Sequence, residues 1–323
     1  PGTGTVQATQ QADITPQVSG MVKAISSRMA DGGFFDKGEF LFSIEKIDYE
    51  LALERARASL AQAELDLMRN RSLAEIAQLE WQRIEEQGEE QRQANPLTLY
   101  EPQLKAAEAQ VASAQSAVRQ AELDLSRTVV RAPFNCYVKN EQIDVGQYIR
   151  AGTPVATVAG TDAVEIVVPI QLEELSWLKI PRNGKSGKGS SATVRMHIGE
   201  NIYEWPGRIV RSYGEIDPRT RMAKVVVAVK DPFGQKKGSD EHRPELAPGM
   251  FAEVLMHGSE LDSVIVIPRG ALRDHDTVWT VDEDNKLLIR DVAIVRREEK
   301  NVLVSSGLYS GDQVILTGLA AAA

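Results

Sequence analysis

Two long apolar stripes constrain the fold of this chain more than any other feature of its sequence. The first runs in steps of three and four residues from Leu53 to Ile84, and the second runs from Leu104 to Thr128. Each extends over more than about three heptads, which is typical of helices that pair in a coiled coil. We predict a helical hairpin over residues 47–129. The alternative, two core helices of a bundle, lacks a third amphipathic helix in the neighbouring sequence.

The larger apolar members of the stripes predict the seam between the two helices. They are Leu53, Leu60, Leu67, Trp81, Ile84, Leu104, Val111, Val118 and Leu125. Helix breakers near the midpoint of the segment indicate the tip, since Gly88, Asn95, Pro96 and Pro102 all lie there. We place the tip within about 86–101. An arm of about 38 residues is ~57 Å long at the α-helical rise, so the hairpin must project from a small domain.

The predicted tip carries apolar residues with no evident partner inside the hairpin. Leu97 and Leu99 alternate with polar or turn-forming residues. Exposed apolar groups on a projecting turn are candidate anchors for another protein. The predicted docking surface consists of Gly88, Asn95, Pro96, Leu97, Thr98 and Leu99. The alternative is that the two leucines fold back onto the end of the coil.

A short β motif occurs once on either side of the hairpin, over residues 14–46 and 130–160. Each copy contains a proline-led strand, tight turns and an apolar last strand, at 41–44 and 155–158. The turns are indicated by Gly20, Gly33, Gly38, Gly146 and Gly152, because glycine tolerates positive φ. A half of about thirty residues cannot bury a core alone. We therefore predict that the halves pair into one split β-sandwich.

Two further β domains are predicted after the second half. Apolar residues alternate over several short segments of 161–262, such as 164–170 and 225–229, which is typical of a barrel or sandwich. A second cluster of strands follows over 263–323, and we expect the N-terminal segment 1–13 to complete it. The predicted fold class is mainly β with a long α-helical hairpin, in an elongated multidomain chain.

The sequence contains no recognisable motif for catalysis or metal binding. His197, His242, His257 and His275 have no metal-ligand spacing, and no Gly-x-Ser-x-Gly elbow occurs. The loop over 184–191 has Gly189 after Lys188, where a phosphate-binding loop requires Ser or Thr. We predict that the chain is not an enzyme and holds no metal or cofactor.

Charge and hydropathy limit the partners and the location. The net charge is −9 and no dense Lys/Arg block occurs, which argues against a nucleic-acid partner. No apolar run approaches the ~18 residues of a membrane span. Because the sequence begins at Pro1 rather than Met, we expect that an upstream signal or anchor segment was removed.

The paired half-motifs resemble the biotinyl and lipoyl carrier fold. In that fold a lysine on a turn between the halves carries the swinging cofactor. Here Lys46 runs directly into the first predicted helix, so we expect a solvated residue at a helix start. The alternative is a carrier or enzyme with lipoate or biotin on Lys46, which the intact mass would reveal.

The order of the modules resembles the periplasmic adaptor (membrane fusion protein) family of Gram-negative efflux pumps, and most of all the adaptors of resistance-nodulation-division (RND) transporters. The matching segments are SRTVVRAPF (126–134), GEIDPRTR (214–221), LAPGM (246–250) and IPRGAL (267–272). They are similar to the family's return into the second lipoyl half, its barrel hairpin, its barrel exit and the start of its membrane-proximal domain. By this resemblance, residues 161–262 form the barrel and 263–323 the membrane-proximal domain.

The resemblance implies a non-catalytic subunit that links an inner-membrane RND transporter to an outer-membrane channel. It also implies a periplasmic location at the inner membrane and a ring of copies, with a hexamer expected. The residues expected to face the transporter are Arg219, Arg221 and Arg269. An adaptor of an ABC-type exporter or a protein secretion system would share this scaffold and is the alternative.

Two positions depart from the family pattern. Cys136 occupies a place where the family usually has glycine, which predicts a locally different turn. The better-known RND adaptors carry an Arg, a Leu and a Ser at set spacing near the tip. Here Arg83 is followed four residues later by Gln87, and Arg92 by Pro96. The tip contact with the channel is therefore expected to use other residues.

Overall fold

The computed structural model describes residues 1–86, 95–181, 188–235, 243–261, 264–282 and 286–317. The chain divides into two compact units, Pro1–His257 and Gly258–Ala323. In the described part of the chain, no helix combines the length and the apolar character that crossing a membrane requires.

The first unit contains a barrel, a β-sandwich and the helical hairpin. Its elements are β1 (Gly2–Ala8), β2 (Gln11–Ile14), β3 (Gly20–Ile25), β4 (Phe34–Phe35), β5 (Phe40–Ile44), α1 (Ile47–Glu86), α2 (Glu101–Ser126), β6 (Val129–Arg131), β7 (Cys136–Glu141), β8 (Tyr148–Ile149), β9 (Ala156–Gly160), β10 (Ala163–Gln171), α3 (Leu172–Leu175), β11 (Ser191–Ile198), β12 (Asn201–Ile216), β13 (Met222–Lys230) and β14 (Phe251–Met256).

The sandwich is built from both half-motifs, as the sequence predicts. One sheet has the order β2-β9-β7-β4 and the other β6-β5-β3-β8, so each sheet mixes strands that precede and follow the hairpin. The two sheets bury one apolar core, which includes Val22, Leu41, Phe42, Val138 and Val158. Because each half contributes to both sheets, neither sheet can form until the hairpin has brought the halves together.

The barrel is closed, with the strand order β1-β10-β13-β12-β11-β14. Alternate residues of β10 point inward, and Val164, Ile166 and Val168 are fully buried. Trp205 of β12 fills the interior, and the Arg243 guanidinium carbon lies 5.8 Å from its ring centroid. The fold class predicted from the sequence, mainly β with a long helical hairpin, is thus confirmed.

The N-terminal segment corrects one prediction. Strand β1 pairs with β10 and β14, with Thr5 opposite Val167 on one side and Phe251 on the other. Val6 points into the barrel and is 1% exposed. Strand β2 then joins the sandwich through β9. The expectation that residues 1–13 complete the membrane-proximal domain is therefore wrong, because their hydrogen-bond partners are barrel and sandwich strands.

The hairpin arms are α1 and α2, which have 40 and 26 residues. Across the hairpin, Arg57 Nη2 lies 2.9 Å from Glu122 Oε1, so these two residues of the antiparallel helices are neighbours. The most buried seam residues are Leu53 and four alanines, Ala63, Ala74, Ala107 and Ala114. Small side chains therefore mark the places where the helices approach most closely.

The second unit contains two small sheets over one core. Its strands are β15 (Ile265–Pro268), β16 (Leu272–Arg273), β17 (Thr277–Val281), β18 (Leu287–Asp291), β19 (Ala293–Arg297), β20 (Asn301–Ser306) and β21 (Gln313–Val314). One sheet has the order β15-β20-β19, and the other has β16-β17-β18 with β21 paired to β17. The core includes Ile267, Val278, Val302 and Val304.

Candidate functional site

The described part of the hairpin tip is a hydrogen-bonded turn before α2. The Asn95 side-chain oxygen accepts a hydrogen bond from the Leu97 N–H at 3.0 Å, and its carbonyl accepts one from the Thr98 N–H at 2.8 Å. Tyr100 has φ 58° and directly precedes the first residue of α2. Asparagine is favoured in such turns because its short side chain can bond the backbone two residues on. The tip residue Gly88 lies outside the described residues.

The two tip leucines have different surroundings. Leu97 is 62% exposed, whereas Leu99 is half-buried. Leu97 also lines an open groove of about 410 Å³, together with Trp81, Ile84 and Tyr100. The tip therefore offers an exposed apolar side chain beside a groove that has aromatic walls and also polar lining residues, among them Glu80 and Gln103, which suits a partner surface of mixed character.

The predicted seam residues differ in burial along the hairpin. Leu53 is buried at the base, and Ile84, close to the tip, is 43% exposed. The remaining predicted seam residues, Leu60, Leu67, Trp81, Leu104, Val111, Val118 and Leu125, are half-buried. The contact is a narrow strip, which is the geometry of two helices that pair without a third layer.

The base of the hairpin is fixed to the sandwich. The Tyr49 hydroxyl donates a hydrogen bond of 2.6 Å to the Ser19 carbonyl oxygen, and burial raises the pKa of Tyr49. The Ile44 N–H bonds the carbonyl of Thr128, which is 1% exposed. Helix α1 thus begins, and α2 ends, beside hydrogen-bonded positions on the sandwich.

Lys46 lies between β5 and α1 and forms an ion pair with Glu50. Its Nζ is 2.7 Å from Glu50 Oε1, one helical turn further on, and both side chains are exposed. In a carrier domain the corresponding lysine stands on a turn that joins two strands. Here the residue leads into a helix of 40 residues, which leaves no such turn at this position.

The predicted turn glycines serve two different purposes. Gly38, Gly146 and Gly152 have φ between 82° and 87°, a region that side chains rarely adopt. Gly33 has no positive φ, but a Cβ there would collide with the carbonyl oxygen of Arg28. Gly20 is extended and lies against the side chain of Ile44. Glycine is needed at these last two positions for close packing.

Cys136 is the first residue of β7 and lies in the sandwich core. It pairs with Phe35 and with Gly160, and it is fully buried. The altered turn expected at this position is absent, because the residue is part of an extended strand. Burial raises the pKa of the thiol to about 11. The group is therefore protonated and apolar in character at neutral pH.

We expect Cys136 to resist alkylation in the folded protein. At a pKa of about 11 instead of 9.0, the thiolate population is roughly 100-fold below that of an exposed cysteine, and burial blocks access as well. Maleimide labelling at neutral pH, followed by intact mass, should show no adduct until denaturant is added. Rapid labelling without denaturant would mean that the sandwich opens readily.

Two comparisons of sequence decide the family. Residues 10–161 match the model described as the RND MFP barrel-sandwich hybrid domain. Residues 263–321 match the RND MFP C-terminal permuted SH3 domain, and together the two models cover about two thirds of the chain. The chain belongs to the RND membrane fusion protein family. These are the periplasmic adaptors that its modular order already resembles.

Curated relatives align with the adaptor over nearly its whole length. MdtA of Xenorhabdus bovienii, named a multidrug resistance protein, is 28% identical over 98% of this chain and 73% of its own. MtrC of Neisseria gonorrhoeae, named a membrane fusion protein, is 26% identical over 99% of this chain and 75% of its own. The alignments therefore include the barrel, which neither family model covers.

Solved structures share the fold. MacA from Actinobacillus actinomycetemcomitans superposes with a TM-score of 0.61 at 19% identity, covering 98% of this chain and 95% of its own. A MacA chimera that contains the Pseudomonas aeruginosa MexA α-hairpin has a TM-score of 0.63 at 18% identity, with the same coverages. The adaptor thus shares its architecture with both proteins.

The basic residues predicted to face a transporter are exposed. Arg219 and Arg221 lie in the turn between β12 and β13, where the Asp217 carboxylate accepts hydrogen bonds from the Arg219 and Thr220 N–H groups at 2.9 and 3.2 Å. These bonds lower the pKa of Asp217. Arg269 is exposed in the second unit. Within the described chain, Arg219 and Arg221 form no ion pair, so both guanidinium groups are available to a partner.

The structure also reveals a surface that the sequence analysis did not identify. A second apolar stripe follows α1 on the side away from α2, and its members are exposed: Leu65, Met68, Ile76 and Leu79. The spacing of these residues in steps of three and four is visible in the sequence and could have identified the stripe.

In the residues that the structure describes, no three His, Cys, Asp or Glu side chains could jointly hold a metal ion.

Proposed function

We propose that this adaptor links an inner-membrane RND transporter to an outer-membrane channel in a tripartite efflux pump, without catalysing a reaction itself. The hairpin reaches toward the channel, and the barrel and the C-terminal unit engage the transporter. Several copies form a ring at the periplasmic side of the inner membrane, and a hexamer is the expected size. The alternative partner is an ABC-type exporter or a secretion system.

The observation that carries the proposal is the hairpin with its exposed apolar tip, in a chain that matches RND adaptor models at both ends. Helix α1, with 40 residues, is ~60 Å long at the α-helical rise. It leads to a groove between Trp81 and Tyr100 beside the exposed Leu97. A long, stiff arm with an apolar tip, fixed at its base, suits a bridge between two proteins.

The names of the relatives support efflux over secretion. MdtA is named a multidrug resistance protein, and MtrC a membrane fusion protein. We extend that role to the present adaptor as part of the proposal. Exposed arginines at the barrel turn and in the second unit support a partner with acidic surface groups, since an exposed guanidinium can form bidentate contacts with a carboxylate.

The test is affinity purification of the adaptor from native membranes after crosslinking, with mass spectrometry of the proteins recovered. An RND transporter together with an outer-membrane channel is the expected result. Recovery of an ABC exporter would retain the adaptor role and overturn the choice of transporter. Recovery of soluble dehydrogenase or carboxylase subunits, with lipoate or biotin on Lys46, would overturn the whole proposal.

Replacing Leu97 by Asp should weaken the contact with the channel and leave the fold intact. Since Leu97 is 62% exposed, the change should alter the free energy of unfolding by no more than about 0.5 kcal/mol. Loss of an apolar anchor at an interface typically costs about 2 kcal/mol, or roughly 30-fold in affinity. The measurement is the amount of channel that co-purifies with the adaptor, relative to transporter.

Leu97→Met is the matched control, because it retains an apolar side chain of similar size. It should recover the channel at the level of the unchanged protein. If Leu97→Asp recovers as much channel as Leu97→Met does, the tip leucine is not an anchor, and the channel must bind elsewhere on the hairpin.

A further inference from the structure

The barrel and the sandwich, which both belong to the first unit, are joined by a ribbon of two antiparallel strands. Strand β1 continues into β2, and β9 continues into β10. The ribbon stays hydrogen-bonded at the junction: the Gly160 N–H donates to the Gln10 carbonyl, and the Thr9 hydroxyl to the Ala163 carbonyl, both at 2.9 Å. Two strands alone are marginally stable, and domains that share a small interface move relative to each other by default. Contacts beside the ribbon therefore decide whether the two domains keep one orientation.

One such contact begins with two aromatic residues on the outer face of the sandwich. Phe34 of β4 and Tyr137 of β7 lie opposite each other in the sheet, with ring centroids 6.0 Å apart. Their neighbours Phe35 and Cys136 belong to the sandwich core, so Phe34 and Tyr137 face away from it. Both are nevertheless half-buried, and burial raises the pKa of Tyr137. Another part of the chain therefore covers them.

The cover is Phe233, which belongs to the barrel and lies in the turn after β13. Its ring centroid is 5.5 Å from that of Phe34, at an interplanar angle of 74°, and 5.6 Å from that of Tyr137, at 58°. Tilted and edge-to-face arrangements at these distances are the favourable geometries of aromatic pairs. The three rings thus connect barrel and sandwich at a place outside the ribbon.

The turn that carries Phe233 is fixed to the barrel on both sides of the ring. Asp231 has φ 50°, and its carboxylate accepts a hydrogen bond from the Gln235 N–H at 2.9 Å. Pro232 is buried, and its carbonyl accepts a hydrogen bond of 2.9 Å from the N–H of Leu246, a residue of the barrel core. A left-handed backbone at a residue other than glycine persists where its surroundings enforce it. Phe233 is therefore held in a defined position on the barrel.

Asn135 adds a polar contact at the same junction. Its Nδ2 donates a hydrogen bond of 3.0 Å to Asp162 Oδ1, in the connection between β9 and β10. Its Oδ1 accepts one of 2.8 Å from the Lys37 N–H, in the turn between β4 and β5 of the sandwich. The connection between the two domains is thus also tied to the sandwich by a side chain.

We propose that Phe233 is a latch that holds the barrel in one orientation on the sandwich. Bending or twisting of the ribbon separates the Phe233 ring from Phe34 and Tyr137, so the two aromatic contacts oppose it. The inference concerns the fold of a single chain and holds whichever partners the adaptor has. Its consequence for the pump, where barrel and hairpin serve different partners, rests on the proposed function.

The test is a distance measurement between the two domains by pulsed electron paramagnetic resonance. Nitroxide labels are attached to Arg150→Cys in the sandwich and Glu200→Cys in the barrel, both at exposed positions, and Cys136 is buried. Labelled chains are diluted with unlabelled ones, so that only distances within one chain contribute. The unchanged protein should give one narrow distribution, and Phe233→Ala should widen it about twofold or more, as expected for domains joined by a small interface.

Phe251→Ala is the matched control, since Phe251 is also a barrel phenylalanine but is 66% exposed. Its distribution should stay as narrow as that of the unchanged protein. Phe34→Ala, which removes the same contact from the sandwich side, should widen the distribution as Phe233→Ala does. The double variant should widen it little further, because one contact is lost in each case.

Three outcomes would overturn the latch. They are a broad distribution in the unchanged protein, a narrow one with Phe233→Ala, and loss of hydrogen-exchange protection in the barrel core of Phe233→Ala. The second would show that the ribbon alone sets the orientation, and the third that Phe233 supports the barrel fold instead. Intact protection in both domains together with a widened distribution is the expected result.

The proposed function is tested separately, because the distances are measured on the adaptor without partners. If Phe233→Ala keeps a narrow distribution, yet transporter and channel co-purify with the unchanged adaptor, the latch is wrong and the adaptor role stands. If the distribution widens but neither partner is recovered with the unchanged adaptor, the latch stands and the proposed partners are wrong.

Discussion

Replacing Leu53 by Asp is expected to separate the two helices of the hairpin and abolish efflux. Leu53 is the most buried leucine of the seam, with 7% of its surface exposed. The substitution removes a buried side chain and places a carboxylate against α2, which together should cost about 3–5 kcal/mol. Because the hairpin contains nearly all the helix of the described chain, circular dichroism should show its earlier melting directly.

Leu51→Asp provides the matched control for this change. Leu51 lies two residues earlier on the same helix and is 44% exposed, away from the seam. The same substitution there should change the free energy of unfolding by no more than about 0.5 kcal/mol. Dye accumulation in cells that express each variant at equal level gives the functional result. Normal efflux with Leu53→Asp, at a lowered melting temperature, would show that a paired hairpin is not required.

The hairpin could be predicted from the sequence because its information is local. Apolar residues at steps of three and four define one helix face, whatever the rest of the chain does. Even so, the largest stripe residues are not the most buried. Leu60 and Leu67 are half-buried, while Ala63 and Ala74 are 4% and 5% exposed. Closest approach depends on where small residues face each other across two helices, and a single stripe does not specify that.

The position of β1 could not be predicted, because it depends on contacts distant in sequence. The strand GTGTVQA has one large apolar residue, Val6, so its pattern indicates an extended segment but no particular sheet. Its partners in β10 and β14 lie about 160 and 250 residues away. From its sequence alone, β1 could have joined either the barrel or the C-terminal β domain. Register and pairing become specific only when one face is buried against a known core.

The tip and the exposed apolar stripe of α1 (Leu65, Met68, Ile76 and Leu79) were predictable in part, because local signals indicate them but do not show how the two helices align. Asn95 and the prolines correctly indicate a turn before α2, since their effects on the backbone are local. That stripe has the same helical spacing as the seam and could have been found in the same way. The sequence alone does not show which residues of α1 lie opposite which residues of α2. In the structure, the contact between Arg57 and Glu122 identifies one such pair.

Val6→Asp is expected to have the other large effect, by opening the barrel. Val6 is 1% exposed and packs in the core that also contains Trp205 and Ile166. A carboxylate there has no partner, and the loss of about 4–5 kcal/mol would be a large fraction of the stability of an ordinary domain. Because β1 bonds both β10 and β14, its release exposes two strand edges and should cause aggregation.

Hydrogen exchange distinguishes β1 as a strand of the barrel from β1 as a strand of the membrane-proximal domain, which is what the sequence predicted. With Val6→Asp, the amides of β10 and β14 should lose protection, because β1 no longer pairs with them. The amides of β17 and β20 should retain it, because the core of the second unit consists of its own residues. Thr5→Asp is the control: Thr5 is the exposed neighbour of Val6 in the same strand, so protection should be unchanged. If instead β17 and β20 lost protection first, β1 would be supporting the C-terminal domain in solution, and the pairing described here would be wrong.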